Sequence, residues 1–282
     1  MNPRRPVAFL GIRYLVTSCA LALLAECPAR ASAPAEAAWQ GGVDASLAGG
    51  RADDGGATAA LSASGWRQVP TGWHDTFWLL GGEYDRYEFS AGAPGRLQAL
   101  AALLGIEYRR DGETAARLTL RPGLYFSQRA RRDSWDIPVD FVSGVPLAGR
   151  INGVVGFSSA RFYRHPLPIF GVVYDFAPRW RLQLVYPEAA LEYTASTAWQ
   201  WRLGGELLGG GFLDDRSPGA PTPIEYSSYR VGLRATHAWA QGGKLAVGVG
   251  FEVLRRFDAF RSGHPSADRH SAHPSLEASW TF

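Results

Sequence analysis

The residues of this chain that could do chemistry are mainly arginines and carboxylates recurring at every second position. Arg117, Arg121, Arg181, Arg202, Arg230 and Arg234 stand with Glu83, Asp85, Glu107, Asp136, Asp140, Glu192, Glu206 and Glu252 on one side of alternating segments. The opposite side of those segments is aliphatic and aromatic. Period-two alternation is a strand pattern, because successive side chains point to opposite faces. Mixed Arg and carboxylate on one face can pair around water and line a passage, or they can fill and rigidify an interior. The candidate lining set is Arg117, Arg121, Arg181, Arg202, Arg230, Arg234, Glu192, Glu206 and Glu252. Arg202, Arg230 and Arg234 fall on consecutive segments and form a candidate positive patch, with Glu206 and Glu252 opposing it.

Hydrolytic chemistry would require a histidine within reach of a serine or aspartate nucleophile or partner. The six histidines are His74, His165, His237, His264, His270 and His273. His74 adjoins Asp75, His165 ends an Arg-Phe-Tyr-Arg-His run, and the last three share a polar loop. None sits in a motif of the lipid deacylases, phospholipases or proteases built on barrels. The spacing of His264, His270 and His273 could hold a metal, but a solvated loop is the stronger reading. No catalytic residue, metal or cofactor is expected.

The N-terminus explains the net charge. Arg4, Arg5 and Arg13 precede an apolar core at residues 15–25, and Ala29-Arg30-Ala31 fits a small-x-small cleavage site. Residues 1–31 therefore read as a secretory signal peptide, with an apolar core too short to span a membrane as a helix. This segment carries four Arg and one Glu, and so the whole formal charge of +3. The rest balances at 25 basic and 25 acidic groups, which gives no reason to expect a nucleic-acid partner. Both cysteines, Cys19 and Cys27, leave with the signal, so thiol and disulfide chemistry leave too. Residues 32–38 read as a flexible Ala- and Pro-rich leader, and 39–282 as one domain.

No apolar run of about eighteen residues follows the signal, which excludes a membrane helix. Alternating segments do follow, predicted at 39–47, 57–67, 74–89, 97–110, 115–127, 135–141, 151–157, 169–177, 180–186, 189–196, 199–209, 229–239, 245–253 and 276–282. The stretch 97–110 is apolar on both faces, and a short helix would explain it equally well. The phase fades after Asp85, which suggests a bulge or the edge of a membrane. Pro138 weakens its segment. Connections alternate long and short along most of the chain, with 258–274, 212–226 and 159–168 long. Outer-membrane barrels alternate external loops and periplasmic turns in this way. The expectation is an all-β, antiparallel transmembrane β-barrel of 12–14 strands with both termini periplasmic. Leu276, Ala278, Trp280 and the terminal Phe282 alternate as a final strand ending on an aromatic residue, which resembles the assembly signal of such barrels.

The run Pro178-Arg179-Trp180-Arg181-Leu182-Gln183-Leu184-Val185-Tyr186-Pro187 resembles a family of outer-membrane barrels labelled as a domain of unknown function. The likeness continues through Ala190-Leu191-Glu192-Tyr193, Leu203-Gly204-Gly205-Glu206 and Tyr229-Arg230-Val231-Gly232-Leu233, over roughly residues 75–282. It implies a barrel and an outer-membrane location, and brings no activity. The expected partners are outer-membrane lipid and lipopolysaccharide, the barrel-assembly machinery and a small solute. The expected function is a passive narrow channel. An outer-leaflet lipid hydrolase and a filled structural barrel stand as alternatives.

Overall fold

A computed structural model of the 282-residue chain describes residues 39–50, 56–91, 94–110, 113–215, 221–240, 242–259, 267–269 and 272–282. The signal and leader segments, His264 and His270 lie outside the described residues. The strands run in the order β1 (Trp39–Ala48), β2 (Thr58–Pro70), β3 (Thr76–Phe89), β4 (Arg96–Arg110), β5 (Glu113–Leu120) and β6 (Gly123–Phe126). Then come β7 (Trp135–Asp136), β8 (Val139–Ala148), β9 (Ile151–Ser159), β10 (Leu167–Ala177), β11 (Trp180–Tyr186) and β12 (Ala189–Thr194). The last are β13 (Trp199–Asp214), β14 (Thr222–Ala238), β15 (Lys244–Asp258), β16 (Ala267–Arg269) and β17 (His273–Thr281).

Three pairs of pieces are single wall strands with a break. β5 and β6 part at Arg121 and Pro122, β7 and β8 at Ile137 and Pro138, and β16 and β17 both pair with β15. Proline has no backbone donor, so it interrupts a ladder. The sheet continues past both prolines: the Arg121 N–H donates to the Pro138 carbonyl at 2.9 Å, and the Ala102 N–H donates to the Pro122 carbonyl at 3.0 Å. The wall is thus a closed antiparallel barrel of 14 strands, each paired with its sequence neighbours, with β17 paired to β1. At the seam the Gly41 and Phe282 backbones bond reciprocally, at 3.2 and 3.0 Å. The start of β1 and the C-terminus therefore meet at the end of the barrel that carries the connections 71–75, 149–150, 178–179, 195–198 and 239–243. We call this the turn end, and the opposite one the loop end.

The wall is uneven. β13, β14 and β15 have 16, 17 and 15 residues, whereas β11 and β12 have 7 and 6. At about 3.3 Å per residue, the tall strands rise well past the hairpin at Pro187 and Glu188. Near the loop end the tall side narrows, where Leu213 of β13 meets Phe126 of β6 in a parallel bridge.

The strands decide two open readings and correct one expectation. Residues 97–110 are strand, not helix, and their apolar second face (Leu97, Ala99, Ala101) is buried in a cluster inside the barrel. The connection expected at 212–226 is mostly strand. β13 and β14 pair from Gly209 with Ser227 up to Asp214 with Thr222, and Gly209, Gly210 and Gly211 gave no side-chain pattern to read. No bulge follows Asp85, since β3 keeps register with both β2 and β4 through Glu88. The phase fades there because the polarity of the two faces reverses. Tyr87 and Phe89 are buried, while Arg86 and Glu88 pair with each other on the other face.

Candidate functional site: the barrel interior

Register fixes which residues share a face. Leu80, Leu100, Leu118, Phe157, Phe170, Leu184, Leu203, Leu233, Val249 and Leu276 are more than a third exposed and lie on the outer face of successive strands. Toward the turn end this face turns aromatic, with Trp78, Tyr108, Tyr174, Phe176, Trp180, Trp199 and Trp201. A continuous apolar belt of this extent is foreign to a water-facing surface. It is what a bilayer-crossing barrel presents, with aromatic residues at the interface.

The interior-facing residues form separate charged groups. Nearest the turn end, Glu107 is fully buried and accepts from Arg109 Nε at 2.8 Å, Arg117 Nε at 2.8 Å and Gln68 Nε2 at 3.2 Å. Arg109 Nη2 closes the ring by donating to Gln68 Oε1 at 2.7 Å. Arg121 pairs with Asp140 across the β5–β8 seam and lies 3.5 Å from Glu83. Arg181 pairs with Asp175 at 2.7 Å, near the turn-end rim. Arg202 stands 3.9 Å from both Glu188 and Glu192. Arg234 donates to Glu277 at 2.6 Å and to Glu206 at 3.3 Å.

The patch expected from Arg202, Arg230 and Arg234 is therefore divided by carboxylates. Arg202 and Arg234 are register partners, but Arg230 sits in a row between Glu206 and Glu252. Its guanidinium is buried, and none of its three nitrogens hydrogen-bonds to protein. Glu252 is engaged elsewhere: Arg255 grips it with Nε and Nη2 at 2.9 and 2.8 Å, and Ser228 donates at 2.8 Å. Asp136, expected on the charged face, instead anchors a loop by accepting the backbone N–H groups of Arg161 and Phe162 at 3.1 and 3.2 Å.

Sequence reasoning missed the partners Arg109, Asp175 and Glu188, and four further participants. Glu277 stands within the terminal strand, where only Leu276, Ala278, Trp280 and Phe282 were singled out. Gln68 lies in a weakly patterned strand. Arg255 follows an irregularity opposite Tyr229 and Arg230 that shifts the phase of β15 by one residue. The fourth is an aromatic cluster narrowing the interior at the loop end. Tyr87 packs edge-on against Phe212 and Tyr226, Phe89 edge-on against Tyr226 and Phe257, and Phe162 is buried with them. Its signal was present as aromatic residues on the otherwise polar side of long strands.

Among the described residues, His74, His165, His237 and His273 lie in separate parts of the barrel. His74 is in the β2–β3 turn and His165 in the β9–β10 loop, while His237 packs between Trp199 and Trp239. His273 is within β17 rather than a loop, in register with Glu252. Hollows lie between the charged groups of the described residues. One of about 250 Å³ adjoins Asp44, Ser62, Glu206 and Arg234. One of about 470 Å³ lies at the turn end among Arg150, Asp175, Arg181 and Glu192. A larger one, of about 540 Å³, lies behind the low wall of β8 to β11.

These features define a closed antiparallel barrel with an apolar outer belt and a charged, subdivided interior. No family model and no curated protein sequence matches the chain. Among solved structures it is similar to one described as "Asymmetric conductivity of engineered proteins", at 10% identity and a TM-score of 0.34, covering 88% of this chain and 99% of that one. Two substituted forms of the Rh. blastica porin are similar at 10% identity and a TM-score of 0.32, covering 87% of this chain and 99% of theirs. The barrel assignment stands on strand register, independent of these likenesses.

Proposed function

We propose that the chain is an integral outer-membrane barrel that passes a small solute through a narrow, charge-lined interior. The observation that carries this reading is the split between the two faces. Leucine, valine and tryptophan occupy the outer belt, while the interior guanidiniums stand beside carboxylates of their own or a neighbouring strand. An Arg on the lipid side at mid-bilayer would cost about 2–4 kcal/mol, so strands carrying this many charges favour a water-filled inner side. The near balance of Arg and carboxylate predicts weak ion selectivity. The turn-end hollow, the Arg234–Glu206–Glu277 group and the hollow beside Asp44 are successive stations of such a path. The aromatic cluster narrows it at the loop end. On this reading the termini are periplasmic, the N-terminal segment is removed on export, and Phe282 serves the assembly machinery.

Planar-bilayer recording of the purified protein tests the proposal. It predicts discrete conductance steps, with a reversal potential that shifts when Arg230 and Arg234 are both changed to Glu. A silent protein whose variants only lose thermal stability would make the charges structural filling and end the transport reading.

A further inference from the structure

The 540 Å³ hollow behind the low wall has a largely aliphatic lining on its wall side. Its size falls within the roughly 300–1,000 Å³ usual for ligand pockets. Val142, Val154, Ile169, Val173 and Val185 line it from four adjacent strands, β8 to β11. On β1, β14, β15 and β17 the inward residues at membrane level are charged, hydroxylic or small. A water-filled passage gives no reason for five branched apolar side chains in one patch, since each is favoured where it is hidden from water. Gly156 and Gly171 lie between them. A Cβ on either would run into the carbonyl oxygen of Phe141 or Leu184, so this stretch of wall stays bare.

Gln183, Glu188 and Glu225 also line the hollow, and a further polar group stands at its loop end. Asp140 and Ser158 are register partners, and Tyr163 comes in from the β9–β10 loop. Arg121 is shared between Asp140 and Glu83, which leaves no free cation for an anionic head. The hollow can thus surround an apolar body and hydrogen-bond one neutral group.

Its rim is formed by Pro187 and Glu188. They join β11 and β12, of 7 and 6 residues. A tilted strand needs roughly 9–11 residues to cross the hydrocarbon layer. With the turn end at the interface, this hairpin stops within the layer, flanked outside by Leu184 and Tyr186. The rim then opens beside acyl chains rather than into bulk water.

We propose that this hollow binds a membrane-dissolved amphiphile with one apolar body and an uncharged hydrogen-bonding head, entering from the bilayer past Pro187. The assignment rests on the small-solute reading above and names the class of solute.

The test uses the folded full-length barrel in lipid nanodiscs with tritiated 1-decanol as probe, counted above empty discs. Wild type should show saturable binding of one decanol per barrel. Val154→Trp and Ile169→Trp, which fill the hollow, should weaken it at least about tenfold, a loss of ~1.4 kcal/mol. Val155→Trp, on the outer face, should leave it unchanged, and decanoate should compete at least about tenfold more weakly than decanol. Val185→Asn adds little bulk, so it should weaken binding without hindering assembly if a tryptophan variant fails to fold. Absence of saturable binding in folded wild type, or undiminished binding in folded Val154→Trp and Val185→Asn, would overturn the site. Stronger competition by decanoate would overturn the neutral head. Binding without any conductance would end the transport reading and leave the site standing; conductance without binding would end the site alone.

Discussion

The same tall strands are built on opposite principles at their two levels. In the lower level of β3, β14 and β15 the outer residues are apolar (Leu80, Leu233, Val249) and the inner ones polar (Glu83, Arg234, Glu252). Toward the loop end the order reverses. Tyr87, Phe89, Tyr226 and Phe257 pack inside, while Arg86 with Glu88 and Arg256 with Asp258 pair on the outside. The β9–β10 loop is tied to that outer face, with Arg164 Nη1 3.0 Å from Asp258 and its N–H 2.9 Å from Glu225. The reversal marks where the surrounding medium changes. The lower level is sorted for lipid outside, and the upper level for water outside and a packed core within. β8 to β12 end near the reversal and carry no such extension, which is why a hollow rather than a core lies behind them.

The largest effect should come from unpairing the buried ion pair at the reversal. Arg255→Ala leaves Glu252 buried without its main partner, and loss of one partner of such a pair costs about 3–5 kcal/mol. Unfolding in urea, followed by loss of heat-modifiable gel mobility, should show it. Arg255→Met combined with Glu252→Gln should recover most of the loss. Equal destabilisation by the single and double variants would contradict the view that charge, not packing, dominates there.

Phe212→Ala should be next. A buried Phe→Ala change costs about 3–5 kcal/mol when the site cannot collapse, and less here because the cluster borders open lumen. Its second readout separates the levels: single-channel conductance should rise, since the cluster narrows the path. Destabilisation with unchanged conductance would place the narrowest point elsewhere.

The low wall should respond weakly. Val154→Trp in a tightly packed interior would cost about 1–3 kcal/mol; facing a hollow, it should cost well under 1. The smallest effect belongs to Arg181→Ala. Arg181 and Asp175 are both more than a third exposed, and an exposed pair is worth about 0–1 kcal/mol.

Much of the lower level was legible in the sequence, because a bilayer outside and polar groups inside impose strict alternation. Trp199, Trp201, Leu203 and Leu207 opposite Arg202 and Glu206 could be read directly, and the strand count followed from turn spacing. The upper level was not legible by the same rule. At Tyr87, Phe212 and Tyr226 inner residues become aromatic, so the alternation cancels the pattern set below, and Gly209 to Gly211 carry no side chain to sort. Arg255 was hidden by the one-residue shift before it. Which Arg meets which carboxylate depends on register between strands, as with Glu277 meeting Arg234 over 43 positions of sequence. Pairings of that kind are not written in local pattern.

Single cysteines test the division of the interior most directly. The only native cysteines are Cys19 and Cys27, so with both changed to serine any added thiol reports alone. Val154→Cys would place it in the low-wall hollow, and Ala99→Cys in the packed cluster, where Ala99 is 2% exposed. Folded barrels in nanodiscs would be treated with N-ethylmaleimide and quenched over time. The account predicts rapid labelling at position 154 and protection at position 99 until the barrel unfolds. Protection at both, or labelling at both at similar rates, would contradict a barrel divided into a filled upper level and a hollow low wall.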